Sequence, residues 1–180
     1  TLFNRSLQFP IDTRSQALAL YWLADIAHRD GNFNESIRLN SQFLTLAKSQ
    51  TGLPDESSLF TGNYLQGYNY LKQDNFPAAL DYFRATVEGI KRNRSFIANP
   101  AVRDEMLGDA VLRTGDAYFK RNQYNQAIQY YDEAVNNQYS GFIYALYQKA
   151  LLEGLRNRNA QKILALEQIV SDYPNSEYAD

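Results

Sequence analysis

The side chains that could perform nucleophilic, acid–base or metal chemistry are few in this sequence. His28 is the only histidine, and cysteine is absent. A Cys–His pair and a zinc site of ordinary composition therefore cannot form, and a Ser–His–Asp set would have to use His28. No G-x-S-x-G turn and no phosphate-binding glycine loop occurs. We expect His28 to be an ordinary polar residue, and the chain to be no enzyme and to need neither cofactor nor metal.

Paired carboxylates are the remaining route to catalysis, because all-helical hydrolases can use two acids. Asp25 and Asp116 fall on equivalent faces of two predicted helices, but in different repeats of the pattern described below. That separation argues against shared acid–base work, and the sequence predicts solvated surface acids. A helical enzyme domain or a carbohydrate-binding module that uses these carboxylates stays open as the alternative function.

Composition and charge argue against other classes of function. A net charge of -2 and an isoelectric point near 5.5 give no basic field that would gather nucleic acid. The one basic run, Lys91, Arg92 and Arg94, ends a predicted helix, where cations interact favourably with the helix dipole. No apolar run is long enough to span a bilayer. Since cysteine-free chains occur in the cytosol and the periplasm alike, composition leaves the compartment open.

An internal repeat determines how these residues are positioned. Two segments that begin 48 residues apart share a glycine, a tyrosine three residues later, an alanine after nine more, and an aromatic residue four beyond that. A small residue closes each copy. The matched residues are Gly67, Tyr70, Ala79, Phe83 and Thr86 in the first copy, and Gly115, Tyr118, Ala127, Tyr131 and Ala134 in the second.

The glycines in these copies indicate close contact between helices. A glycine inside a helix costs about 1 kcal/mol relative to alanine, so its position needs a compensating reason. Close approach of a partner helix supplies one. We therefore predict that Gly67 faces Ala79 and that Gly115 faces Ala127, with the aromatic residues of each copy filling the space between the two helices.

These residues resemble the consensus of the tetratricopeptide repeat (TPR), a pair of antiparallel helices of about 34 residues. Looser copies contain Ala24 and Ala150, so that the resemblance covers residues 14–174. It implies an all-α fold, a right-handed superhelical stack of about four helix pairs. The copies are spaced more widely than the family norm, with 43 residues from Phe33 to Phe76 and 48 from Phe76 to Tyr124. Longer second helices or ordered loops are expected there, with irregular stacking.

The repeat defines the expected organisation of the chain. We predict one TPR-like domain over residues 1–180, part of a longer chain, with repeats at 13–50, 55–92, 101–137 and 141–174. Pro54, Asp55 and Glu56 predict one helix start, and Asn75 with Pro77 predicts another. The predicted helices are 13–30, 33–50, 55–73, 76–92, 101–121, 124–137, 141–157 and 160–172.

The resemblance also implies a binding surface, because TPR ligands usually lie on the concave face formed by the first helices. Chaperone-tail clamps carry a Lys and Asn pair there, which this chain lacks. We expect the aromatic, mildly acidic groove to bind a protein or peptide segment, or another part of the parent chain, although some of its aromatics could pack between repeats instead. The groove positions are Tyr21, Asp25, His28, Tyr64, Tyr68, Leu71, Leu112, Asp116, Phe119, Tyr144, Tyr147 and Leu151.

The closing residues 172–180 carry a further resemblance. The phrase Asp-Tyr-Pro-Asn-Ser-Glu-Tyr-Ala-Asp is similar to the inter-repeat phrase of TPR proteins of the Gram-negative cell envelope, such as outer-membrane assembly lipoproteins and TolA-binding proteins. This resemblance implies a periplasmic or outer-membrane-associated location, with the cytoplasm as the alternative.

Overall fold

A computed structural model describes residues 3, 5, 7 and 12–179 of the chain. Within residues 12–179 it contains eight α-helices and no strand, which confirms the predicted all-α class. The chain divides into two compact units, residues 1–103 and 104–180. The helices are α1 (Thr13–Arg29), α2 (Phe33–Ala47), α3 (Leu59–Leu71), α4 (Phe76–Asn93), α5 (Leu107–Lys120), α6 (Tyr124–Asn136), α7 (Phe142–Leu155) and α8 (Asn159–Asp172).

The helices form pairs with short connections, as predicted. In the first unit α1 packs on α2 and α3 packs on α4, while α2 joins the two pairs through its contact with α3. In the second unit α5 packs on α6, α7 packs on α8, and α6 contacts α7. Turns of three or four residues within each pair make the two helices antiparallel.

The same backbone turn ends the first helix of every pair. Gly31, Asp74, Asn122 and Asn157 each adopt positive φ, between 54° and 76°. The next residue then donates its N–H to a carbonyl five residues back, as Asn75 does to Tyr70 and Gln123 to Tyr118, both at 2.9 Å. This is a left-handed helix cap, which glycine, asparagine and aspartate tolerate best.

Two predicted helix starts differ from the structure. Asp55–Ser57 forms a short 3₁₀ turn, and α3 begins only after Ser58, whose hydroxyl caps the N–H of Thr61. The acids before it bind a loop instead, since Asp55 Oδ2 accepts the N–H groups of Ala98 and Asn99 at 2.8 Å. The helix predicted from residue 101 begins as a π-helix, Ala101–Met106, and becomes regular α5 at Leu107.

The glycine contacts also differ from the prediction. A Cβ on Gly67 would lie 2.8 Å from the ring of Phe83, and one on Gly115 would lie 2.7 Å from the ring of Tyr131. The helices do approach closely, but each glycine faces the aromatic ring, and the predicted alanine is not among its nearest neighbours. Ring size explains the difference, because the aromatic ring reaches into the gap that the missing Cβ leaves.

The aligned residues nevertheless form the core of both units. Six of them are completely buried: Ala79, Phe83, Thr86, Ala127, Tyr131 and Ala134. The two aligned tyrosines are half-buried and stack on an aromatic ring of the second helix in the same way. Tyr70 lies 5.6 Å from Tyr82, and Tyr118 lies 5.5 Å from Tyr130. The repeat therefore specifies equivalent packing in α3–α4 and α5–α6.

Candidate functional site on the first helices

The predicted groove residues lie on the first helix of each pair: α1 and α3 in the first unit, α5 and α7 in the second. The structure separates them into residues that belong to the core, residues that hold helices together, and residues whose rings remain partly accessible. Only the last group can contact a ligand directly.

Two predicted groove residues are core residues, which corrects their assignment. Tyr21 is 8% exposed and packs against Phe43 and Trp22, with ring centroids 5.2 and 5.1 Å away. Burial raises the pKa of Tyr21 accordingly. Leu112 is 3% exposed, beneath Gly141. Neither side chain is accessible to a binding partner, because each points toward the neighbouring helix.

His28 connects the first two helix pairs. Its Nδ1 lies 2.7 Å from Oδ1 of Asn69 on α3, and its ring contacts Phe33 edge-on at 5.4 Å. Asn69 in turn donates to the hydroxyl of Ser36, which donates to the carbonyl of Ala24, both at 2.8 Å. A chain of hydrogen bonds thus runs from α1 to α3 and back, and it gives His28 a structural partner.

A second buried polar network lies between α2 and α3 and was not predicted. Asn40 donates to the side-chain oxygen of Gln66 at 2.7 Å and to the carbonyl of Gly62 at 2.8 Å. Gln66 donates to the hydroxyl of Ser41 at 3.1 Å, and Asn40 and Gln66 are both fully buried. The available signal was an amide residue on the apolar face of each helix, since a buried amide requires a partner.

The accessible part of the face in the first unit is aromatic. Tyr64 and Tyr68, one helical turn apart on α3, meet edge-to-face with centroids 5.0 Å apart, and Phe83 lies beneath both. Both tyrosines and Leu71 are half-buried. On α1, Asp25 forms an ion pair with Arg29 at 2.9 Å and is 19% exposed, so it is less solvated than predicted.

Asp116 in the second unit is a structural acid, which corrects the prediction of a solvated one. Its Oδ1 accepts hydrogen bonds from the hydroxyls of Tyr131 at 2.7 Å and Tyr144 at 2.8 Å, and its Oδ2 accepts from Arg113 at 2.5 Å. Burial raises the pKa of Asp116, although Arg113 and the two hydroxyls oppose that shift. Burial also raises the pKa of Tyr131 and of Tyr144, and the adjacent carboxylate raises both further.

An aromatic cluster lies next to this acid. The ring of Tyr178, from the segment after α8, packs 5.3 Å from Tyr147 and 6.1 Å from Tyr144. The guanidinium of Arg113 lies over Tyr144, 5.8 Å from the ring centre. Phe119 contacts Tyr124 at 6.0 Å, and Leu151 is half-buried. The predicted groove positions of α7 therefore hold an aromatic side chain from the turns that follow α8.

Comparison with known proteins relates this helix-pair structure to a family. The sequence profile of the tetratricopeptide repeat matches residues 109–139 and 144–176. Solved structures with the same fold include the apo form of RapI, with a TM-score of 0.76 and 14% identity over 98% of this chain. YrrB, a TPR protein with an unusual peptide-binding site, gives a TM-score of 0.71 and 15% identity over 98% of this chain and 77% of its own.

Two segments of the chain, residues 109–139 and 144–176, are tetratricopeptide repeats. The two profile matches coincide with the pairs α5–α6 and α7–α8, and the TPR fold of the solved structures extends over the α1–α4 pairs as well. A curated relative is the outer membrane protein assembly factor BamD of Caulobacter vibrioides, 29% identical over 126 residues. That alignment covers 64% of this chain but 38% of BamD, and the chain spans 48% of RapI.

The acids of the candidate site are paired with other side chains in the part of the chain that the structure describes. Among the residues that the structure describes, no group of three His, Cys, Asp or Glu side chains could hold a metal ion. Asp25 and Asp116, the acids of the alternative function, are paired with Arg29 and with Arg113 and two tyrosines. Within the described helices, none is both long and apolar enough to cross a membrane.

Proposed function

We propose that this TPR chain is a protein-interaction scaffold that binds an extended protein or peptide segment on the aromatic faces of its first helices. The observation that carries the proposal is the packing of the Tyr178 ring against the rings of Tyr144 and Tyr147. An aromatic side chain from a segment without helical structure packs on groove positions there. A partner segment would pack in the same way on Tyr64 and Tyr68, or on Tyr144 and Tyr147 by displacing Tyr178.

The chemistry of these faces favours a partner segment with aromatic or aliphatic side chains. Tyrosine presents a large rigid surface with few rotatable bonds, and it can donate a hydrogen bond from its edge. The acids of these faces are engaged within the chain, since Asp116 accepts hydrogen bonds from three donors and Asp25 is paired with Arg29. A basic partner would therefore find little free negative charge.

The surroundings we propose are those of the Gram-negative cell envelope. The closing phrase at residues 172–180 and the similarity to BamD, an outer membrane assembly factor in its own organism, both support this location. The partner would then be a segment of another envelope protein. Cell fractionation with an antibody against the chain tests the location, and recovery in the cytoplasmic fraction would contradict it.

A photo-crosslinking experiment tests the binding face. Benzoylphenylalanine placed at Tyr64, Tyr68 or Tyr147 in the full-length protein should crosslink one recurring protein in the native host, which mass spectrometry then identifies. The matched control is the same residue at Phe96, an aromatic that is 84% exposed and lies outside the first helices. Equal crosslinking from the control position would argue against a defined face.

A further inference from the structure

A charged pocket in the second unit lies apart from the aromatic face. It is an open groove lined by residues of α6, α7 and α8 and of the turn after α7, with a volume of about 460 Å³. The spacing of residues along α7 places the pocket and the aromatic face on opposite sides of this helix. At 100° per residue, Leu146, Lys149 and Glu153 form a stripe on the side of the helix opposite to Tyr144 and Tyr147. We call this space the α6–α8 pocket.

The most buried charged group that lines the α6–α8 pocket is the carboxylate of Glu153. The residue is 5% exposed, and its Oε2 accepts no hydrogen bond from any residue in the described part of the chain. The nearest cation to Oε2 is Arg158, whose Nη1 lies 3.6 Å away, and Arg156 lies 3.6 Å from Oε1. Both distances allow charge attraction but exceed hydrogen-bond length. A buried acceptor without a hydrogen bond thus lies in the wall of the pocket, beside two guanidinium groups.

The balance of charge leaves this pocket positive. Lys149 and Asp132 pair with each other at the rim. Glu153 can neutralise only one of the two arginines, so one positive charge remains. Arg158 is 51% exposed and keeps donors that can reach a ligand. The floor beside these charges is apolar, formed by the buried Ile128 and Leu146, and the exposed Leu164 lies at its edge.

We propose that the α6–α8 pocket binds an α-carboxylate that carries an N–H group and an apolar side chain. The carboxylate would lie against Arg158 and Arg156, where the planar guanidinium matches its geometry. The N–H, one carbon away, would donate to Oε2 of Glu153, and the side chain would cover the apolar floor. A carboxylate without an adjacent donor leaves Glu153 unsatisfied, and a simple cation is repelled by the three basic residues.

Two kinds of ligand carry these groups: the last residue of a protein chain and a free N-acyl amino acid. Titration calorimetry of the full chain with N-acetyl-leucine and with a tetrapeptide that ends in leucine separates them. At least tenfold tighter binding of the tetrapeptide assigns the pocket to a chain terminus, whereas equal binding assigns it to the small molecule. Both outcomes support the pocket.

The controls test each contact. N-acetyl-leucine amide lacks the charge, and Arg158→Gln lacks the guanidinium; each should weaken binding about tenfold, the usual loss for one charge-assisted hydrogen bond. Arg121→Gln removes an exposed arginine outside the pocket and should change nothing. Methyl NMR signals of Leu146 and Leu164 should shift with the acid. The proposal is overturned by equal affinity for acid and amide, by unchanged affinity in Arg158→Gln, or by no binding at about 10 mM probe.

Discussion

The hydroxyl of Tyr144 on α7 donates a 2.8 Å hydrogen bond to Oδ1 of Asp116 on α5. The same oxygen accepts from Tyr131 on α6, so that one carboxylate joins three helices of two successive repeats. Consensus positions place Asp116 and Tyr144 among the ligand-binding residues. Their mutual bond means that they stabilise the stack, and that Tyr144 can offer a partner its ring but not a free hydroxyl.

Removing this carboxylate should destabilise the second unit strongly. Asp116→Ala leaves the hydroxyls of Tyr131 and Tyr144 without their acceptor and leaves Arg113 paired with Asp109 alone among these acids, which we expect to lower the free energy of unfolding by about 2–4 kcal/mol. Tyr144→Phe removes one donor and should cost about 1 kcal/mol. Urea unfolding followed by circular dichroism measures both. Tyr147→Phe serves as the control and should be neutral; a similar loss there would show that the effect is not specific to Asp116.

The pH dependence of stability should reveal the raised pKa of Asp116. A buried acid with a raised pKa binds its proton in the folded state while the unfolded state has released it. The contribution of Asp116 to the free energy of unfolding is therefore fully present below the ordinary Asp pKa of about 3.9. It is lost as the pH rises through the pKa of Asp116 in the folded protein. The difference in unfolding free energy between the natural protein and Asp116→Asn should decrease across that window.

Other carboxylates contribute the opposite slope but cancel in that difference. The N–H of Ser15 lowers the pKa of Asp12, and the side chain of Arg38 lowers the pKa of Glu35, so both contributions are lost as pH falls. They are present equally in the natural protein and in Asp116→Asn. A difference that stays constant with pH would mean that Asp116 titrates normally.

Two glycines should respond in opposite ways to alanine. In Gly115→Ala the new Cβ would meet the buried ring of Tyr131 at 2.7 Å, and the overpacking should cost about 1–3 kcal/mol. In Gly154→Ala it would meet only the flexible end of Lys162 at 3.0 Å, so the helix should gain up to about 1 kcal/mol. Thermal unfolding compares them, and stabilisation by Gly115→Ala would refute close helix contact at this position.

Ala127 provides a separate test of the repeat alignment. It is completely buried between α6 and its neighbours. Ala127→Leu should lower the unfolding free energy by about 1–3 kcal/mol through overpacking. Exposed Ala160, in the first turn of α8, is the matched control. A neutral result at Ala127 would mean that the small residue is not required for packing.

The turn after α3 contains strain that glycine would relieve. Asp74 adopts φ 54° at the position where the first repeat has Gly31. Asp74→Gly should raise the unfolding free energy by about 0.5 kcal/mol, because glycine adopts positive φ without a Cβ clash, while Asp74→Ala should lower it. Chemical denaturation measures the free energy of unfolding of both variants. A glycine variant less stable than the natural protein would contradict the assignment of a left-handed cap at Asp74.

The fold was largely predictable, because packing demands leave a periodic signal in sequence. Spaced glycines, alanines and aromatics located the helix pairs, and helix limits were close except where Ser58 and the π-helix at Ala101–Met106 intervene. The first exception involves a distant contact, that of Asp55 with Ala98, which no local pattern records. The glycine partners were wrong because the pattern gives spacing but not ring orientation.

The candidate site was less predictable, since consensus positions name a face of a helix but not what covers it. Tyr21 and Leu112 occupy groove positions yet are buried by neighbouring residues. Asp116 was expected in solvent because its two tyrosine partners lie 15 and 28 residues away in sequence. The pairing of Asn40 with Gln66 likewise connects residues 26 apart.

The dissociation constant of the partner, the protein identified by crosslinking, tests the central claim most directly. Tyr64→Ala combined with Tyr68→Ala, and separately Tyr147→Ala, should each raise the dissociation constant at least tenfold, a change of about 1.4 kcal/mol. The helical circular-dichroism signal should stay unchanged, and Phe96→Ala should bind like the natural protein. Unchanged affinity in all the tyrosine variants would contradict recognition by the first helices.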